Sequence, residues 1–336
     1  MRWLARWSAR RSRISPQPWG KRFLDSIEMS NTRATLRLTL PATSANLGPA
    51  FDAAAIALNI FLRVSASAAD DFSVVAHGRD AELCGNTRGN LILTTYREIL
   101  RTEGARIKPL ALRVQNEIPI GKGCGSSAAA RLAAIMLAVH YGRLDWDEAR
   151  IVGEAARRED HADNAAACWT GGLAIGRRSE RSQAQVIRVL PRGSWPLLLA
   201  VPDEALSTEK ARRVLPRSYS REDAVCNVQN SMLLLASFAQ GRHDWLASAL
   251  EDRFHQPYRV RLCPLLPALQ KLAGKHGILG VALSGAGPAV LMFLDPRANA
   301  RQIQAEATRH LRGQHLRAEL LPTSITCLGA RQRSGG

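Results

Sequence analysis

Residues 119 to 130 read P-I-G-K-G-C-G-S-S-A-A-A, and the apolar, alanine-rich stretch that follows continues through Leu137. This pattern fixes a local architecture, because a glycine-rich turn must open directly onto the first turn of a helix apolar enough to be buried. Gly121, Gly123 and Gly125 permit backbone conformations and close approaches that a side chain forbids. Ser126 and Ser127 fall where the helix begins, and its first amides have no intrahelical partner and lie at the positive end of the helix dipole. The segment is suited to hold phosphate; a glycine cap on an ordinary core helix is the plain alternative. Lys108 to Asn116 alternates like a strand just before the loop, so strand, loop and helix follow in the order a nucleotide site needs. The G-x-x-x-x-G-K-[ST] string of a P-loop is absent, since Lys122 lies inside the glycine run ahead of the serines. No G-x-G-x-x-G follows a first strand with an acidic residue about twenty positions on, which leaves a dinucleotide fold unsupported.

The chain has 336 residues, enough for one large or two ordinary domains. No window of eighteen apolar residues occurs, so a membrane is not expected as a partner. Cys84, Cys124, Cys168, Cys226, Cys263 and Cys327 form no C-x-x-C pair and read as buried thiols of a reducing cytoplasm. The formal charge is +17, and residues 1–28 hold seven basic residues against Asp25 and Glu28, with Trp3, Trp7 and Trp19 among them. This head lacks the apolar run of a secretory signal. Residues 1–30 read as a disordered basic extension or a start placed too early, with Met29 as the natural opening; a transit peptide or an RNA-touching arm are the alternatives. Elsewhere the excess is scattered arginine, whose field favours ATP and an acidic substrate group.

Two more segments share the character of the first: Pro41 to Asp52 (P-A-T-S-A-N-L-G-P-A-F-D) and Leu283 to Val290 (L-S-G-A-G-P-A-V). In content and order the three resemble the signature motifs of the GHMP kinases, and most of all those of the homoserine kinase branch. The likeness runs from about Thr35 to about Leu328. It implies an α+β, two-domain GHMP kinase fold with a ribosomal-protein-like N-terminal domain (31–185) and a ferredoxin-like C-terminal domain (186–330), the site lying in the cleft between them. The periodicity by itself yields only mixed α and β: strands at 35–40, 63–68, 108–116, 186–190, 197–201, 280–283, 289–294 and 316–320, and helices at 90–102, 145–159, 207–215, 224–239, 245–250, 265–275 and 298–311. The polar stretch from Arg177 to Gln185 suggests a hinge or a hairpin tip.

The same resemblance implies an activity, transfer of the ATP γ-phosphoryl group to the hydroxyl of L-homoserine in threonine biosynthesis, and a set of site residues. Pro119, Gly121, Lys122, Gly123, Cys124, Gly125, Ser126 and Ser127 would hold ATP, with Asn90 near the adenine; an asparagine helix cap explains Asn90 nearly as well. A serine hydroxyl with one carboxylate is typical of a Mg²⁺ site that keeps several waters, and Ser127 with Glu154 would be that pair. Glu154 stands one position too close to the following motif, which makes Glu159 the fallback. The string H-A-D-N-A-A-A-C-W-T-G-G from His161 resembles the family's H-x-D-N segment, with Ala165, Ala167, Cys168 and Trp169 departing from it. His161, Asp163 and Asn164 would face the substrate, and asparagine rather than aspartate at 164 implies a site that orients the alcohol without a base. Thr208 and Arg212, in T-E-K-A-R-R-V-L-P, and Arg259, in D-R-F-H-Q-P-Y-R, would bind the substrate; the two arginines would clamp its carboxylate. Asn46 and Asp52 would take its polar and ammonium end, and Gly285 would line the substrate. Asn164, Ser127 and Arg212 are the catalytic set. One rival is a GHMP kinase for another small alcohol, which the altered residues after Asn164 keep open. The rival from another class is a basic RNA-binding protein; no aromatic-rich RNA motif accompanies it, so nucleic acid is not expected, and the number of copies, one or a homodimer, is open.

Overall fold

The computed structural model describes residues 35–179 and 183–335; the expectation for residues 1–30 lies outside them. In chain order the strands are β1 (Thr35–Asn46), β2 (Ala50–Ala68), β3 (Ser73–Gly78), β4 (Leu110–Asn116), β5 (Leu173–Arg178), β6 (Ala184–Val189), β7 (Pro196–Val201), β8 (Ile278–Leu283), β9 (Val290–Leu294), β10 (Glu319–Ser324) and β11 (Arg331–Gly335). The helices are α1 (Ala81–Gly85), α2 (Leu91–Thr102), α3 (Ser126–Gly142), α4 (Glu148–Glu159), α5 (Asp163–Thr170), α6 (Thr208–Arg213), α7 (Arg221–Gln240), α8 (Leu246–Ala249), α9 (Gln256–Arg259), α10 (Leu265–Gln270) and α11 (Ala300–Gly313).

Among the described residues the strands form two sheets. The larger runs β11-β1-β2-β4-β3 with β5 and β6 attached through β2, and β3–β4 is its parallel pair. Alternation along β1 decides its faces: Leu36, Leu38 and Leu40 are buried and pair across to Ala66, Val64 and Leu62 of β2. The opposite face carries Arg37, Arg63, Arg113, Arg331 and Arg333, all exposed, as expected for a sheet covered on one side only. On the covered side lie α3 and α5. Helix α3 is buried along most of its length, Leu132 to Ala138 included, because it is apolar all round and has no polar face to offer water. The smaller sheet, β10-β7-β9-β8, is antiparallel, and α10 and α11 close its core over Val281, Leu283, Met292, Leu266, Leu269 and Ile303.

Several boundaries differ from those read in the sequence. The expected division at 185/186 falls inside β6, which pairs with β5 in the larger sheet, so the described residues on both sides of the polar stretch belong to that sheet. Likewise β11 returns from the end of the chain to pair with β1. The strand expected at 316–320 runs from Glu319 to Ser324, and H-A-D-N opens the short helix α5 that periodicity did not indicate. No helix of the described residues is long and apolar enough to cross a membrane.

Candidate active site

The three glycine-bearing segments, far apart in sequence, meet through their own backbones. Thr43 N–H donates to Cys124 O at 3.1 Å, Gly285 N–H to Ala45 O at 3.0 Å and Ala289 N–H to Lys122 O at 3.2 Å. Side chains add to the junction: Ser284 Oγ donates to Gly123 O at 2.8 Å, and Asn46 Nδ2 to Gly285 O at 2.8 Å. Glycine is required here for two reasons. Gly123 has φ +79°, and a Cβ placed on it would lie 2.1 Å from Ser284 O; at Gly125, with φ +68°, a Cβ would lie 1.8 Å from Thr43 Oγ1.

This junction floors a cleft of about 440 Å³, within the range of small-ligand sites. Gly121, Gly123, Cys124, Gly125, Ser126 and Ser127 form one wall, at the start of α3. Asn46, Asp52, His161, Asp163, Asn164, Thr208, Arg212, Arg259 and Gly285 reach the same space. Leu62, Ile92, Val114 and Ile118 give it an apolar end. Three residues expected in the site do not line it: Pro119, Lys122 and Glu154. Lys122 Nζ instead donates to Asp203 O. Cys124 lines the cleft with its thiol turned in, and burial pushes that thiol up to about 12, so it remains protonated. Asn90 also borders the cleft, but its Oδ1 caps α2 through Ile92 N and Leu93 N, and its Nδ2 donates to Cys84 O at 2.8 Å.

The carboxylate beside Ser127 is Glu159, not Glu154. Ser127 Oγ donates to Glu159 Oε1 at 2.6 Å, and Arg131 Nε reaches the same oxygen at 2.7 Å. Glu154 is held by Arg157 at 2.8 Å and Arg158 at 2.7 Å; burial opposes its charge, but the two guanidiniums hold it below the ordinary glutamate range. The reason is helical phase. Glu159 ends α4 beside the turn that enters the cleft at His161, whereas Glu154 lies more than a turn earlier on the arginine-bearing face.

Charge is concentrated opposite the phosphate loop. Asp163 is buried; its Oδ1 accepts from Asn164 N at 2.6 Å and lies 2.6 Å from His161 Nδ1. Its Oδ2 has no hydrogen-bond partner among the described residues. Burial disfavours the His161 cation, but Asp163, with Asp52 and Glu159 beyond it, raises its pKa above the usual histidine value. Asp52, His161 and Asp163 place potential ligand atoms within 4.8 Å of one another. Arg212 clasps Asp52 with both terminal nitrogens, at 2.8 and 2.9 Å. Arg259 is buried: its Nε donates to Ala211 O at 3.0 Å and its Nη1 lies 3.1 Å from His255 Nδ1. Burial and the nearby Arg212 charge both depress its pKa, and Phe51 lies beneath both guanidiniums, 5.6 and 5.4 Å from ring centre to carbon. The two arginines thus converge, but in this state Arg212 is engaged by an internal carboxylate. Phe51 and Thr43, both in the first motif, are cleft-side residues that the motif's pattern alone does not single out.

Comparison with known proteins gives the class. The GHMP kinases N-terminal domain matches residues 90–172 and the GHMP kinases C-terminal domain residues 234–313. The chain belongs to the GHMP kinase family. Within it, its relatives are homoserine kinases: that of Solibacter usitatus is 44% identical over 269 residues, 80% of this chain and 88% of the relative. The homoserine kinase of Deinococcus radiodurans is 34% identical over 271 residues, covering 81% and 88%. In fold the chain is similar to the crystal structure of homoserine kinase from Cytophaga hutchinsonii, with TM-score 0.76 over 91% of this chain and 100% of that one, at 22% identity.

Proposed function

We propose that the cleft transfers the γ-phosphoryl group of ATP to the hydroxyl of L-homoserine, giving O-phospho-L-homoserine and ADP. The observation that carries this reading is that the phosphate loop shares one small cleft with an acceptor for an ammonium and two guanidiniums. Asp52, a part-exposed carboxylate of the cleft, suits the α-ammonium, with Asn46 beside it on the same wall. Arg212 and Arg259 suit the α-carboxylate, which guanidinium pairs bind in a fixed plane. Asp52 and Arg212 lie 2.8 Å apart, so an acceptor and a donor for the amino acid's two charges sit together.

Ser127 and Glu159 fit a magnesium ion, a hydroxyl and a carboxylate side by side at the mouth of the loop being the kind of sparse set such an ion accepts. They would hold such an ion beside the loop, where it would supply positive charge to the phosphate oxygens. The chain's residues do the rest by position. Loop amides at the start of α3 hold the phosphates, and Asn164, at the first turn of α5, holds the alcohol. An asparagine cannot take the alcohol's proton, and for a loose phosphoryl-transfer transition state alignment and charge stabilisation matter more than early deprotonation.

A coupled assay of ADP release over L-homoserine, L-serine, L-threonine, mevalonate and galactose tests the assignment. L-Homoserine is expected to give the highest kcat/KM, and Arg212→Ala to raise its KM about 10- to 100-fold while leaving that of ATP within about twofold. A different alcohol at the top of the series, or equal KM effects on both substrates, contradicts the reading.

A further inference from the structure

Thr43 lies at full depth in β1, and its hydroxyl ends on a cleft residue 121 positions away: Oγ1 donates to Asn164 Oδ1 at 2.6 Å. The same residue's amide holds Cys124 O, so one threonine ties the phosphate loop to the asparagine. The space around the hydroxyl is fixed by Gly125, where a Cβ would meet Thr43 Oγ1 at 1.8 Å and Asn164 Oδ1 at 3.2 Å. On its other side Asn164 Nδ2 points at Asp163 Oδ1, 3.4 Å away. Turning the amide over would bring two oxygens together there and oblige the Thr43 hydroxyl to accept from N–H₂ instead of donating to the carbonyl.

We infer that Thr43 is a positioning residue that fixes the rotation of the Asn164 amide, so that this side chain presents N–H and not C=O to the acceptor alcohol. The inference rests on the reading of Asn164 as the residue that holds the alcohol. A hydroxyl has one proton to donate, and Thr43 spends it on Oδ1, filling one of that oxygen's two acceptor sites; of the two N–H bonds on Nδ2 one points at Asp163 and the other is left for the substrate. An N–H directed at the alcohol oxygen leaves that oxygen's own hydrogen pointing away from Asn164 and a lone pair free toward the phosphorus. Were the amide reversed, its carbonyl would accept the alcohol's hydrogen and rotate the nucleophilic oxygen out of line.

Thr43→Val keeps the shape and removes the donor. It is expected to lower kcat by about 10- to 100-fold, the scale of a displaced reacting group, with the KM for ATP changed less than about twofold and the melting temperature close to that of the parent. Thr43→Ser restores the hydroxyl and should restore most of kcat. In an Asn164→Ala background the valine substitution should change kcat by less than about twofold, because the residue through which Thr43 acts is gone. Full activity of Thr43→Val, or an undiminished loss in the double variant, overturns the proposal. A crystal structure of Thr43→Val gives a readout independent of the substrate. Determined with neutrons, which tell the amide nitrogen from its oxygen, it supports the proposal if the Asn164 amide is reversed or displaced. An amide unchanged in position and orientation overturns the proposal even if the parent enzyme prefers another alcohol.

Discussion

Gly123→Ala is expected to lower kcat/KM for ATP by about 100-fold or more. The added methyl would sit 2.1 Å from Ser284 O and 2.8 Å from Gly287 O, both backbone atoms of the third motif, which cannot swing aside as the end of a side chain can. The loop must therefore retreat, carrying its amides off the phosphates, and a shift of about 1 Å in a positioned group costs on the order of 10²-fold in rate. The backbone conformation is a lesser part of the effect: alanine at φ above zero costs about 1 kcal/mol. Gly104→Ala separates the two, because Gly104 has φ +64° with nothing within 4 Å of the added carbon. That variant should lose a similar amount of backbone stability in a thermal melt and keep its kinetics. If Gly123→Ala is as active as Gly104→Ala, the contact between loop and third motif does not shape the nucleotide site.

Glu159→Ala is expected to cost about 10²- to 10³-fold in kcat at ordinary magnesium, the scale of losing a metal's charge stabilisation, and to require a higher magnesium concentration for what activity remains. The argument is the 2.6 Å contact from Ser127 Oγ, the placement of Glu159 on the cleft wall, and the absence of Glu154 from it. Glu154→Ala should leave magnesium dependence unchanged and cost about 1.5 to 3 kcal/mol of stability, because the Glu154 and Arg158 side chains are largely buried together and the charged hydrogen bonds between them are lost. A magnesium titration of both variants at saturating ATP decides between them, and a shift confined to Glu154→Ala would return the metal to the earlier turn of α4.

The two carboxylates illustrate what the sequence can and cannot convey here. Local chemistry was legible: three glycines before an apolar helix, and arginines in distinctive strings. Which glutamate faces the serine depends on where α4 ends and how it lies against α3, and these are products of packing between segments. The nearness of Glu159 to His161, two positions before a residue that enters the cleft, was the available signal. Thr43 stood in a recognised motif, but nothing in the order of residues indicates that a strand hydroxyl meets Asn164. Strand pairing is hidden for the same reason. β11 joins the larger sheet through a non-local pairing with β1, whereas β6 pairs with its sequence neighbour β5, and a division drawn from a polar stretch of chain fell inside β6. Arg259 reads as a helix-surface residue by spacing alone; only its companions Asp252 and His255, which lie with it in the interior, mark it as buried.

The central claim is that the three segments align an alcohol with a terminal phosphoryl group, and a crystal structure with L-homoserine, magnesium and a non-hydrolysable ATP analogue tests it most directly. The account predicts the phosphates along Gly121 to Ser127, the amino acid's carboxylate on Arg212 and Arg259, and its hydroxyl oxygen beside Asn164 Nδ2, about 3 to 3.5 Å from the γ-phosphorus. A nucleotide bound away from Gly123, or a homoserine whose hydroxyl points away from Asn164, would contradict it.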